Sequence, residues 1–317
     1  MTSMASTPGR RQNSTNVRQH LPPAIRRMRP AFRVLEHLAP TLGARWAMRL
    51  FCTPPTNGGR RRDDRPGPGT VSTVTGPAGQ RIVAESWGDD GPLVYLVHGW
   101  GGWRGQLGGF VVPLVSAGHR VVAFDAPAHG ESGPGDLGGA RTSMREMAEA
   151  FAAVISMHGQ PAAAIAHSGG SPVTSAVIRD GYWIPRVVFV APAPDPVVNM
   201  HQLLSVLGAG PRTLRPMSRL AETIAHRPLA DYDVTTLPRH ASVPTTLVIH
   251  DEHDKEVPAT DGARVAEAWP EARLHRTAGL GHRRILRDED VIQSATSFVT
   301  GAGVGATGWE HRSAEEG

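Results

Sequence analysis

Short apolar runs recur through the middle of the chain and alternate with longer amphipathic stretches. Residues 71–75, 81–87, 93–98, 121–125, 162–166, 186–191, 245–250 and 273–277 read as strands, several of them continuously apolar, as in Leu93-Val94-Tyr95-Leu96-Val97. Between them, 105–117, 141–158, 169–180, 260–268 and 284–299 carry helical spacing. Apolar strands separated by helices predict an α/β fold: a mostly parallel, doubly wound sheet of about eight strands, covered on both faces. Residues 195–240 are longer than a connector between two strands needs to be, and hold helical fragments at 197–207 and 217–226. They predict a small helical lid.

Outside that core the pattern changes. Residues 1–30 are rich in Ser, Thr, Asn, Pro and Arg and predict a disordered basic tail. Val34, Leu38, Leu42, Trp46 and Leu50 recur at i+4 spacing, one apolar stripe of a helical extension over 31–52, with Pro40 as a marker of a first turn. Packing on the domain is the default use of such a stripe. Residues 53–69 are a Pro/Gly/Arg/Asp linker, 70–300 the main domain, and 301–317 a Gly-rich charged tail expected to fray.

Composition narrows the class. The chain has 317 residues, 40% of them hydrophobic, enough for one large core with extensions. A single cysteine, Cys52, excludes an intrachain disulfide. The sequence has no apolar run of about 18 residues that would span a membrane. No apolar segment follows Arg10-Arg11, so a secretory signal is not expected and a cytoplasmic location is. The net charge of +4 is uneven: residues 1–66 hold 13 Arg and three acids, hence +10, which leaves −6 for the rest. A basic arm on an acidic domain can meet anionic lipid or nucleic acid. The whole chain, however, has 32 Arg to one Lys, so the arm reads as general Arg usage and a solvated tail. Nucleic acid is not an expected partner; peripheral contact with a membrane surface is the alternative use of the arm.

The candidate chemistry centres on Ala166-His167-Ser168-Gly169-Gly170. An apolar run delivers a Ser between small residues into a helical stretch, the layout of a strained strand-to-helix turn that exposes a nucleophile. A serine hydroxyl needs a base to take its proton. His282, on a Gly-rich loop after the last strand, fits that role, and Asp254, after the penultimate strand, fits the group that orients it. Asp251 and Asp195 are rivals for the acid, although each suits a turn or cap; His253 and His275 are rivals for the base. The N–H of Gly169, at a helix N-terminus, suits one donor to a developing oxyanion. Gly-rich segments near 99–109 lack the Gly-Lys-Ser/Thr of a phosphate loop, and His250-x-x-His253 is not a zinc-ligand spacing, so neither a nucleotide cofactor nor a metal is expected.

Five pieces together carry a resemblance: the strand ending in His98-Gly99, the turn Asp125-x-x-x-His129-Gly130-x-Ser132, the Ser168 segment, Asp254-x-x-Val257-Pro258, and Gly281-His282. In this order they resemble the α/β-hydrolase superfamily over roughly Thr70 to Thr300. The Ser168 segment departs from Gly-x-Ser-x-Gly at Ala166. The resemblance implies an antiparallel entry to the sheet and a triad in the chain order Ser168, Asp254, His282. By the same resemblance the N–H of Trp100 is the second oxyanion donor, and His98 and His129 shape loops beside the site. With Ser rather than Asp or Cys at the elbow, it implies a serine hydrolase that cleaves a carboxylic ester, thioester or lactone through an acyl-serine. Acyl transfer, C–C bond hydrolysis and a non-catalytic binding role are the alternatives. The partner would be a small acyl compound, with the lid defining it and Leu203, Leu204, Leu207 and Leu214 suggesting a partly apolar site.

Overall fold

The computed structural model describes residues 23–55 and 63–301. Eight strands form one sheet: β1 (Thr70–Thr75), β2 (Arg81–Trp87), β3 (Leu93–Val97), β4 (Arg120–Phe124), β5 (Pro161–His167), β6 (Arg186–Val190), β7 (Thr245–Asp251) and β8 (Arg273–Thr277). Their order across the sheet is β1-β2-β4-β3-β5-β6-β7-β8. β1 and β2 pair antiparallel, as do β2 and β4, and every later neighbour is parallel. All eight expected strands are present, within one residue at each end. The helices in chain order are α1 (Pro23–Leu38), α2 (Pro40–Phe51), α3 (Val111–Ser116), α4 (Met144–His158) and α5 (Gly170–Arg179). They continue with α6 (Pro196–Leu207), α7 (Pro211–Ala225), α8 (Ala259–Ala268), α9 (Gly281–Arg284) and α10 (Glu289–Thr300).

Alternate residues of each strand feed opposite faces. Tyr95, Val97, Ala164, Ala166, Val187 and Phe189 pack under α4, α5 and α8. Val94, Leu96, Ile165, Val188, Val190 and Ile249 pack under α3 and α10. The parallel strands therefore end along one edge, where their following loops converge; ligands of open α/β sheets bind there. Among the described residues no helix is long and apolar enough to cross a membrane.

A third core lies beyond that edge. It joins α1 and α2 to the lid helices α6 and α7 through Phe32, Ala44, Ala47, Met48, Met200, Leu204, Leu207 and Met217. Two expectations change here. The chain is already helical at Pro23, so residues 23–30 of the segment expected to be disordered are helix; residues 1–22 lie outside the described ones. The i+4 stripe is also not the buried face. Val34 and Leu42 are each 56% exposed and Leu38 81%, whereas Phe32, Ala44, Ala47 and Met48 are buried. Ala39 and Pro40 divide the segment into two helices, so helical phase does not run on from Leu38 to Leu42. Small residues on α2 then allow close approach: a Cβ at Gly43 would lie 3.4 Å from the Thr213 hydroxyl of α7. The second half of the expected linker is fixed too. Asp64 N–H donates to the Gly105 carbonyl (2.9 Å) and Gly69 N–H to the Glu85 carboxylate (2.9 Å). Residues 56–62 and 302–317 lie outside the described ones.

One buried carboxylate ties the arm to the lid. Glu36 of α1 accepts from the N–H groups of Gly210 (3.0 Å), Arg212 (3.0 Å) and Thr213 (3.1 Å), and from the Thr213 hydroxyl (2.5 Å). The N–H groups belong to the N-cap and first turn of α7, where those of Gly210 and Arg212 have no other acceptor among the described residues and the helix dipole also favours an anion. Burial works against the charge, but the Thr213 hydroxyl and the three N–H groups outweigh it and hold the Glu36 carboxyl below the usual carboxylate range. Glu36→Ala strips those donors of their acceptor and is expected to lower unfolding stability by ~2–4 kcal/mol. Urea denaturation checks this; an unchanged midpoint and slope would mean that Glu36 does not hold the arm in place.

Candidate active site

The site begins where β5 runs out. Ser168 follows His167 directly and adopts φ +51°, a left-handed conformation that a non-Gly residue takes at a cost of about 1–3 kcal/mol. Its backbone is fixed on both sides: Ser168 N–H donates to the Val190 carbonyl (3.0 Å), and its own carbonyl accepts from Ser171 N–H (3.0 Å) and the Ser171 hydroxyl (2.7 Å). The turn also needs empty space at one neighbour. A Cβ on Gly170 would stand 2.6 Å from the Val97 carbonyl oxygen, which explains the small residue after the Ser. The departure at Ala166 fits the same logic, since that methyl is fully buried in the sheet core.

Ser168, His282 and Asp254 form one hydrogen-bonded chain. Ser168 Oγ lies 3.0 Å from His282 Nε2, and His282 Nδ1 lies 2.7 Å from Asp254 Oδ2. A carboxylate only accepts, so Nδ1 carries the proton and Nε2 is free to accept from the serine. The Asp254 side chain has no exposure to solvent. Burial opposes its charge, yet His250, His282 and the Val257 N–H all donate to it and push its pKa far down. Its second oxygen accepts from Glu256 N–H (2.8 Å) and Val257 N–H (3.0 Å).

The rivals take other parts. Asp251 binds the loop that carries His282, accepting from the Thr277 hydroxyl (2.9 Å) and Leu280 N–H (2.9 Å). Asp195 caps α6 through Val197 N–H (2.8 Å). His253 is exposed, and His275 sits half-buried on β8. Two roles escaped sequence reasoning, one of them for His167, whose place before Ser168 implies only help in forming the elbow. His250, fully buried at the end of β7, places Nε2 3.3 Å from Asp254 Oδ2, so the acid is held by a second imidazole. The only sequence signal is a His four residues before the acid. His167 places Nε2 2.9 Å from the His282 carbonyl, so it donates there and steadies the loop. Its burial, with His282 beside it, pushes the His167 pKa down to about 3 and keeps the ring neutral.

The backbones of Gly169 and Trp100 lie against each other beside Ser168. A Cβ on Gly169 would lie 3.1 Å from the Trp100 nitrogen. Among the described residues neither N–H donates to a protein acceptor. The loop bearing Trp100 is held by the two flanking histidines. His98 Nε2 accepts from Ala126 N–H (3.0 Å) and His129 Nε2 from Gly101 N–H (3.0 Å). Each Nδ1 must then carry a proton, and donates to the carbonyl of Gly99 or Pro127 respectively. Below them, Arg104 (2% exposed) binds Glu85 (2.8 Å), Asp125 and Glu131 (2.6 Å), and its N–H donates to Asp125 (2.7 Å).

The hydroxyl opens into a cavity of about 660 Å³. Trp100, Met200 and Leu229 supply apolar wall, and so do Met48 and Phe51 of the N-terminal arm. Phe51 stacks against Trp100 with ring centroids 6.3 Å apart. Among the described residues no group of three or more His, Cys, Asp or Glu side chains could hold a metal ion.

Residues 94–294, well over half of the chain, match the model of the alpha/beta hydrolase family. The chain belongs to that family. A non-heme haloperoxidase from Rhodococcus erythropolis is 25% identical over 71% of this chain and 98% of its own length. Among solved structures, a thermophilic esterase from Thermogutta terrifontis superposes with a TM-score of 0.54 at 18% identity, covering 73% of this chain and 98% of that one. A meta-cleavage product hydrolase from Pseudomonas fluorescens gives a TM-score of 0.54 at 18% identity with the same coverage. These likenesses extend to the fold. Helices α1 and α2 of this α/β hydrolase precede the family-matched residues, yet α2 lines its cavity.

Proposed function

We propose that the protein hydrolyses a carboxylic ester-type bond (ester, thioester or lactone) through an acyl-serine. The observation that carries this reading is the Ser168–His282–Asp254 chain, at 3.0 Å and 2.7 Å, opening beside two uncommitted N–H groups. Ser168 Oγ attacks the carbonyl carbon while its proton passes to His282 Nε2. Charge on the former carbonyl oxygen is met by the N–H groups of Trp100 and Gly169. The tetrahedral centre collapses as the imidazolium, stabilised by Asp254, returns the proton to the leaving oxygen or sulfur. Water then attacks the acyl carbon with His282 again as base, and Ser168 leaves with a proton. The apolar walls around Phe51, Trp100 and Leu229 support an uncharged, hydrocarbon-bearing substrate.

A fluorophosphonate probe tests this, because it reacts with serines that have an activating base. Wild type is expected to label at Ser168, Ser168→Ala not at all, and His282→Gln at least about 10³-fold more slowly. Absence of labelling in folded wild-type protein would remove the acyl-serine reading.

A further inference from the structure

A second cavity lies against the α2 wall of the active-site cavity. Met48 of α2, Cys52 just past its end and Ile224 of α7 form part of the active-site wall, and the same three side chains line the second cavity, of about 510 Å³. There Leu42, Trp46 and Leu220 continue an apolar surface towards solvent, bordered by the exposed Arg45 and Arg49. The side chains shared by the two are soft and uncharged. Met48 is an unbranched thioether that changes shape readily. Cys52, whose sulfur lies 3.5 Å from that of Met48, has its thiol pushed up to about 12 by burial and stays neutral. Ile224 is half-buried and belongs to the lid.

We propose that the two cavities form one track for a long hydrocarbon arm of the substrate, which leaves Ser168, passes between Met48, Cys52 and Ile224, and ends beside Trp46. The proposal rests on the ester reading and names its substrate class: esters with a long apolar chain. The α2 side of this track comes from residues that precede the family-matched stretch, so the preference belongs to this chain's own arm. Each methylene moved from water into such a track multiplies kcat/KM by about four, the factor that ~0.8 kcal/mol per buried CH₂ represents.

The test uses the full chain and two substrate series, p-nitrophenyl esters from acetate to palmitate and alkyl acetates of matching length. A length-dependent rise in the first places the arm on the acyl side, and a rise in the second on the alcohol side. Leu220 lines only the second cavity. Leu220→Trp is expected to leave p-nitrophenyl butyrate hydrolysis unchanged and to remove the gain for the longest chains. Ile224→Trp, at the shared wall, is expected to cut the gain off several carbons earlier. Cys52→Ala widens that passage and is expected to raise the long-to-short ratio, an outcome that needs no bulky side chain to fit. A wild-type profile flat or falling beyond butyrate in both series overturns the track, as does a rising profile indifferent to all three substitutions. Fluorophosphonate labelling of the same samples separates the two ideas: a flat profile with Ser168 labelled sinks the track alone, and no labelling sinks the ester reading with it.

Discussion

Asp254→Asn is expected to lower kcat/KM for ester hydrolysis by about 10³–10⁴ while the protein remains folded. The carboxylate now accepts from His282 Nδ1 at 2.7 Å and is approached by His250 Nε2 at 3.3 Å. Both imidazoles approach one oxygen and the Glu256 and Val257 N–H groups take the other, so an amide that keeps its oxygen for the backbone donors turns its N–H₂ towards the rings. That favours the wrong His282 tautomer, with its proton on Nε2 facing Ser168, and removes the charge that stabilises the imidazolium. Asp251→Asn is the matched control. Its carboxylate anchors Thr277 and Leu280 and is not hydrogen-bonded to the His282 ring, so a loss of at most about tenfold is expected from looser placement of the loop. Steady-state kinetics on both variants, with circular dichroism to verify folding, decides the matter. A larger loss for Asp251→Asn would transfer the orienting role to that residue.

The second large effect concerns stability. Arg104→Met is expected to cost ~3–5 kcal/mol, the range for breaking a buried ion pair from one side. Burial disfavours the guanidinium charge, but Asp125 and Glu85 outweigh it, and removal of the cation leaves Asp125 fully buried with only N–H partners. Glu85 suffers less, since Arg65 (2.6 Å) and Gly69 N–H still reach it. For a domain of this size the loss corresponds to a fall in Tm of roughly 6–20 °C, measurable by calorimetry. Arg104→Lys keeps a charge without the fork and should fall between. A Tm within 2 °C of wild type for Arg104→Met, a margin of about 1 kcal/mol, would mean that the network does not hold the Trp100 loop.

What could be read from the sequence was local. A central parallel strand is buried on both faces, so it declares itself as a short apolar run, and β3 to β7 were legible that way. The elbow was legible because its geometry demands small residues around one Ser, and the Asp254 and His282 loops because Gly and Pro mark them. The lid was legible as excess length between β6 and β7. Features that depend on distant partners were not. Arg104, Glu85 and Glu36 carry charges, which normally signal surface, and only the fold reveals that each is enclosed by complementary groups. His250 gave no sign because its role depends on where β7 ends relative to Asp254. The arm misled for a different reason. A five-residue i+4 stripe is convincing in one helix, but Pro40 starts a new one, and the buried face then falls on Gly43, Ala44 and Ala47, which carry little hydrophobic weight. A purely apolar pattern cannot register a surface chosen for close approach. The N-terminal contribution to the cavity was lost with it.

The tie between Glu36 and the start of α7 also orders events during synthesis. The carboxylate and its first acceptor-seeking partner, Gly210, stand 174 residues apart. At about 5–20 residues per second, the arm leaves the ribosome roughly 10–35 s before the helix it is built to cap. Throughout that interval Phe32, Met48 and the small-residue face of α2 have no lid to cover them, while the sheet forms behind. The arm is thus made well before the helix that holds it, and until α7 emerges its apolar face is open to chaperones and to off-pathway association.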